Sequence, residues 1–150
     1  MSGTDTTTST ARHRTRHRAR QAAVQMLYQW EVGQHDIEEV VRTFWSANLP
    51  GLEDAPEHVR TFAEQLVRMT IANIEKIDPL IAETAEHWRL SRIAALDRII
   101  LRLAISEFLD GSTPRNVVIN EALELAKTFS GEESVKFVNG ILDAVKKKMP

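Results

Sequence analysis

Residues 91–111 read SRIAALDRIILRLAISEFLDG. The apolar positions Ile93, Leu96, Ile99, Ile100, Leu101, Leu103, Ala104, Ile105, Phe108 and Leu109 recur at helical spacing and cover most of the circumference. A helix that is apolar nearly all round has no face to offer water, so it lies at the centre of a bundle. Ser91 is predicted to cap its start, and Gly111 to end it by adopting the left-handed conformation. Asp97, Arg98, Arg102 and Glu107 interrupt this longest apolar segment, so no stretch reaches the roughly 18–20 apolar residues of a membrane span.

The segments on either side have amphipathic patterns suited to wrap such a centre. After Pro114, Val118, Ile119, Ala122, Leu125, Ala126 and Phe129 make one face; after Gly131, Val135, Phe137, Val138, Ile141, Leu142 and Val145 make another. Upstream, Val59, Phe62, Ala63, Leu66, Val67, Thr70, Ile71, Ile74 and Ile77 predict a helix of some twenty residues. Asp78-Pro79 is predicted to re-start the pattern, Asp as cap and Pro at the first helical position, with Leu80, Ile81, Ala85 and Trp88 facing inward. Residues 48–56, NLPGLEDAP, form the clearest loop and the candidate boundary between two helical groups. Before it, Asp36 can cap a helix bearing Ile37, Val40, Val41, Phe44 and Trp45. The first helix is expected from residue 11 to 32, with Gly33 as its stop, preceded by a disordered polar tail over residues 1–10. No segment alternates with period two for long. The expectation is an all-α fold without a sheet: one compact domain over residues 11–150, about seven helices in two small groups.

Composition narrows the chemistry. With 150 residues the chain is long enough for one core, and with no cysteine it has no disulfide, thiol nucleophile or cysteine zinc site. A reducing, cytoplasmic setting fits that usage. The start has arginines but no apolar core or cleavage site of a secretory signal, although an arginine- and threonine-rich start also imitates an organelle transit peptide. Glycines at 3, 33, 51, 111, 131 and 140 build neither a dinucleotide fingerprint nor a P-loop. His13 and His17 have i, i+4 ligand spacing but sit among five arginines that repel a cation. His35, His58 and His87 read as surface histidines, and the adjacent acids Glu38-Glu39 and Glu132-Glu133 do not face one another on a helix. No enzyme, metal or cofactor is expected.

The formal net charge of −2 hides an asymmetry. Residues 1–30 carry five arginines against one aspartate, whereas residues 31–145 carry 11 basic and 20 acidic groups. The basic groups concentrate in RHRTRHRAR, residues 12–20. Alternate residues advance about 200° around a helix, so Arg12, Arg16 and Arg20 form one stripe and Arg14 and Arg18 another nearly opposite. Such a helix cannot pack both faces, and its first turns must project into solvent. Cations at a helix N-terminus oppose the macrodipole, which favours a separate polyanionic partner over a merely solubilising tail or localisation signal. Arginine fits phosphate bidentately and stacks on bases, and arginine-rich segments suit single-stranded RNA. Tyr28 and Trp30 offer stacking surface nearby, or else belong to the core.

Three blocks then carry a family resemblance. Residues 18–30, RARQAAVQMLYQW, resemble the opening helix of the NusB family of bacterial transcription antitermination factors. Residues 95–104, ALDRIILRLA, resemble its central helix, and VINEALELAK at 118–127 with KFVNGILD at 136–143 resemble its C-terminal signature. The resemblance, over residues 14–145, implies a seven-helix fold, no enzymatic activity and no cofactor. It implies binding of boxA-type nascent RNA jointly with a small-subunit ribosomal protein, NusE, in ribosomal RNA operon transcription, and contact with other Nus factors and RNA polymerase through that complex.

By the same resemblance Arg16, Arg18 and Arg20 match the RNA-binding start, with Gln25 one face along. Tyr28 and Asp97 match the ribosomal-protein contact, and Glu133, Lys136 and Phe137 a segment near both surfaces. For Phe137 the apolar stripe of its own helix is the competing assignment. His17 stands where many members carry another basic residue, which makes its contribution depend on pH. Arg12, His13 and Arg14 extend the arm beyond the family core, so the RNA-binding set is Arg12, Arg14, Arg16, His17, Arg18, Arg20, Gln25 and Lys136. NusB-like domains also precede certain ribosomal RNA cytosine methyltransferases, but the cysteine chemistry of those enzymes has no counterpart here. The other alternative is a non-catalytic homodimeric helical adaptor whose arm is only a solvated tail; monomer and homodimer both remain open.

Overall fold

A computed structural model describes residues 2–47, 49–50, 52, 54–85 and 90–150, with side chains from residue 11 onward. The described residues form seven α-helices and two short 3-10 turns, and no strand. The chain divides into two compact units, Met1–Gln65 and Leu66–Pro150. The two helical groups expected from sequence are therefore present. Their division, however, falls inside a helix rather than at the loop over residues 48–56.

The first unit holds α1 (Ser2–Glu31), α2 (Ile37–Phe44), the 3-10 turn Trp45–Ala47 and the start of α3 (Glu57–Ala72). Helical backbone begins at Ser2, over the stretch expected to be disordered. Extending a formed helix by one residue needs no new nucleation, so polar composition alone does not set the boundary. α1 buries Ala19, Ala22, Ala23, Val24, Met26 and Leu27 and packs against α2, which buries Val40, Val41 and Phe44. Asp36 caps α2 as its sequence predicts: the Glu39 N–H donates to Asp36 Oδ2 at 3.4 Å.

Gly33 ends α1 for a different reason than the one expected. The left-handed residue is Gln34, with φ of 54°. A Cβ on Gly33 would sit 2.7 Å from the Gln29 carbonyl oxygen and 2.9 Å from the His35 ring, so glycine is required by close approach. Beyond α2, Trp45 stacks edge-on against Phe44, with centroids 5.0 Å apart, and receives the Arg60 guanidinium over its ring at 5.6 Å. Arg60 Nε also donates to the Ala55 carbonyl at 2.9 Å, which fixes the entry to α3.

The second unit holds the rest of α3, α4 (Ile74–Thr84), a 3-10 turn at Leu90–Arg92, α5 (Ala95–Asp110), α6 (Arg115–Phe129) and α7 (Glu132–Lys148). α5 is its centre, as the all-round apolar pattern requires, packing against α4, α6 and α7. It buries Ile99, Ile100, Leu101, Leu103, Ala104, Ile105 and Phe108. Gly111 ends it in the left-handed conformation, with φ of 77° and its N–H on the Glu107 carbonyl at 3.0 Å. The start differs from expectation. Ser91 lies in the 3-10 turn and Ala94 stands at the cap position, because Arg98 donates to the Ile93 carbonyl at 2.9 Å and the Leu90 carbonyl at 3.4 Å and so holds that turn.

The break between α3 and α4 comes at Asn73, not at Asp78-Pro79. The Asn73 amide donates to the Met69 carbonyl at 2.8 Å, and α4 starts on the Asn73 carbonyl, which accepts from Lys76 and Ile77 at 2.9 Å. Pro79 consequently lies inside α4. Asp78 is drawn into a bidentate pair instead: Arg102 Nε donates to Oδ1 and Nη2 to Oδ2, both at 2.9 Å. Trp88 and His87, assigned above to an inner face and to the surface, lie outside the described residues. Arg115 on α6 donates to the carbonyls of Lys146, Met149 and Pro150, satisfying acceptors that the end of α7 leaves open.

Candidate nucleic-acid interface

The arginine run becomes the exposed forward half of α1. Arg12, His13, Arg14 and Arg16 are exposed, Thr15, His17 and Arg18 half-buried, and the core begins at Ala19. Arg12, Arg14 and Arg16 thus project before the first packed turn, as their two-stripe geometry requires. Thr15 Oγ1 donates back to the Ala11 carbonyl at 2.9 Å, a local bond that keeps its hydroxyl on the helix.

Arg20 departs from its expected place. It is only 2% exposed, and its guanidinium lies 5.7 Å from the centre of the Phe62 ring. The stripe Arg12, Arg16, Arg20 therefore runs from open solvent into the body of the unit. Arg20 is an anchor at the root of the arm rather than part of its surface. Arg16, one turn earlier, stays exposed, yet its guanidinium lies over the same ring at 4.6 Å. Periodicity assigns Phe62 to the apolar stripe of α3, and nothing in its spacing marks it as a contact of the arginines.

Gln25 is half-buried, and its Oε1 has no hydrogen-bond partner among the described residues. Tyr28 is 41% exposed, so its ring is not a core group, while Trp30 is half-buried.

In the second unit three of the expected residues converge. Asp97, Glu133 and Phe137 line one cleft of about 420 Å³ together with Arg92, Ile93, Ala94 and Ser134. Asp97 comes from the first turn of α5, and Glu133, Ser134 and Phe137 from the first turns of α7. Asp97 is 8% exposed, and its Oδ1 has no hydrogen-bond partner among the described residues. A buried carboxylate oxygen facing a cleft in this state offers a hydrogen-bond acceptor to an N–H donor or a cation.

Phe137 is half-buried at the cleft, outside the buried face of Val138, Ile141, Leu142 and Val145. Lys136 next to it is exposed. Sequence reasoning missed Arg92 and Ser134, which no periodicity or motif distinguishes. Tyr28, grouped with the cleft residues by resemblance, stands on α1 in the first unit. Among the described residues no group of three or more His, Cys, Asp or Glu side chains could hold a metal ion.

Comparisons with known proteins identify the family. The family model described as "NusB family" matches residues 17–147. The transcription antitermination protein NusB of Koribacter versatilis is 45% identical over 130 residues, covering 86% of each chain. The NusB of Solibacter usitatus is likewise 45% identical over 130 residues, covering 87% of each. Among solved structures, T. maritima NusB superposes with a TM-score of 0.78 at 36% identity, covering 89% of this chain and 91% of that one. A crystal structure of antitermination factors NusB and NusE in complex with dsRNA gives a TM-score of 0.74 at 28% identity, covering 91% and 98%. A family model spanning most of the chain, relatives of this identity and the same seven-helix fold place the chain in the NusB family.

Proposed function

We infer that this chain is a transcription antitermination factor that binds boxA-type single-stranded RNA through α1, jointly with the small-subunit ribosomal protein NusE. The observation that carries the reading is the exposed arginine array. Arg12, Arg14 and Arg16 stand on the forward half of α1 in a NusB-family chain and have no hydrogen bond or ion pair among the described residues. Guanidinium forks in solvent are suited to phosphate, which accepts them bidentately. His17, Arg18 and Gln25 extend the proposed RNA surface along α1, and Lys136 on α7 is a separate proposed RNA contact of the second unit.

Asp97, Glu133 and Phe137 form the proposed protein contact of the second unit, and Tyr28 is a proposed protein contact of the first. The open acceptor on Asp97 and the acidic balance of residues 31–145 suit a basic protein. The protein acts without catalysis or cofactor, in the cytoplasm, and reaches other Nus factors and RNA polymerase through the RNA complex. Among the described residues no helix is long and apolar enough to cross a membrane.

Titration of boxA-type RNA with and without purified NusE tests this reading. Binding should be salt-dependent for the chain alone and tighter in the presence of NusE. Equal, salt-insensitive signals in both titrations would overturn it.

A further inference from the structure

We propose that Phe62 is a positioning residue for phosphate capture: it holds the Arg16 guanidinium flat and oriented so that its fork is ready for an RNA phosphate. The inference rests on the reading of α1 as the RNA contact and adds a residue outside the arm to it. Phe62 lies on α3, in the same unit as α1. Arg16 Cζ is 4.6 Å from the ring centroid, well inside the roughly 6 Å range of cation–π attraction.

Three observations make this contact more than packing. Arg16 is exposed although its guanidinium carbon lies over the ring, so the contact holds the group at the surface rather than burying it. It has no hydrogen bond or ion pair among the described residues, so the ring is its one described orienting contact. The same ring also has Arg20 at 5.7 Å, and Arg20 is buried, so the ring is fixed at the root of the arm rather than following Arg16 outward.

Arginine loses substantial rotamer entropy when it is fixed on a ligand, and a guanidinium already resting on a ring has lost part of it beforehand. Arg12 and Arg14, further out, have no such support among the described residues. The arm is therefore graded, with the oriented fork at Arg16 and freer ones ahead of it.

The test uses the full chain and a short fluorescein-labelled single-stranded RNA of the boxA type, read by anisotropy across a salt series. Phe62→Leu keeps apolar bulk but removes the ring; Phe62→Tyr keeps the ring; Arg16→Ala removes the charge. Phe62→Leu should raise Kd about threefold, the scale of an exposed cation–π contact, while Phe62→Tyr stays near wild type. The salt slope separates positioning from charge. Arg16→Ala should make it shallower by about 0.7, whereas Phe62→Leu, which removes no charge, should leave it unchanged. In the Arg16→Ala background Phe62→Leu should have no further effect on Kd. Circular dichroism and the fitted active fraction detect a folding defect, which lowers the active fraction rather than Kd.

If Arg16→Ala binds as wild type does, the arm is not the RNA contact at this position and the inference falls with it. If Arg16→Ala weakens binding but Phe62→Leu matches wild type, the arm stands and the positioning role is overturned. An equal loss for Phe62→Tyr and Phe62→Leu, or an undiminished loss in the Arg16→Ala background, also overturns it.

Discussion

Asp97 sets its proposed role against stability in one side chain. It is nearly buried, yet Oδ1 has no hydrogen-bond partner among the described residues. Leaving a buried acceptor unsatisfied costs about 1–3 kcal/mol. A carboxylate in the first turn of a helix recovers about 0.3–1 kcal/mol from the macrodipole, so the two nearly balance or the cost wins. Asp97→Ala should therefore leave the thermal midpoint unchanged or raise it slightly, while weakening NusE binding measured by calorimetry. A clear drop in the midpoint would make Asp97 structural, and unchanged NusE affinity would remove it from the proposed contact. Its convergence with Glu133 and Phe137 on one cleft was legible only through family resemblance. Spacing places Asp97 as an interruption in an apolar helix and Phe137 on an apolar stripe. The cleft itself depends on the 3-10 turn at Leu90–Arg92, which is held by Arg98 bonds to backbone carbonyls and has no pattern in sequence.

At the scale of elements, α1 converts a run of alternating arginines into a graded arm. The helical period made most of this readable: alternate positions must fall on opposite faces, and opposite faces cannot both pack. What the period could not tell was where the arm ends and the core begins, because Arg20 carries the same charge and spacing as Arg16. Burial of Arg20 decides that point. The exposed set is Arg12, Arg14 and Arg16, so replacing these three with alanine should make the salt dependence of log affinity shallower by about 2, at roughly 0.7 per phosphate on a single strand. Alanine is the better helix former, so helicity should hold or rise. An unchanged slope would show that the arm neutralises no phosphates. A similar limit on legibility applies at α4. Asp78-Pro79 is a sound start signal locally, but the bidentate pair with Arg102 on α5 is a tertiary contact that local chemistry does not contain. Asn73, with a weaker signal, makes the break instead.

For the whole molecule, the central question is whether two units behave as one folding body. The fold class and the central place of α5 follow directly from residues 91–111, because an all-round apolar helix admits few other positions. The division of the chain was misplaced at the loop of residues 48–56, the stretch richest in turn residues. Turn chemistry marks where the chain bends, whereas a unit boundary depends on which side chains pack together. That boundary falls within α3, a continuous helix from Glu57 to Ala72. α3 thus contributes residues to both units, and chains of about this length commonly unfold in one cooperative transition. Leu101, fully buried at the centre of the second unit, provides the test. Leu101→Ala should cost about 3 kcal/mol for lost burial and a residual cavity. At this chain length that lowers the thermal midpoint by about 6–12 °C. In a Trp88→Phe background the remaining tryptophans, Trp30 and Trp45, both lie in the first unit. Their fluorescence midpoint should fall together with the helical signal from circular dichroism, although the substitution is in the second unit. Two separated transitions, with the tryptophan midpoint unmoved, would show that the units unfold independently despite the shared helix.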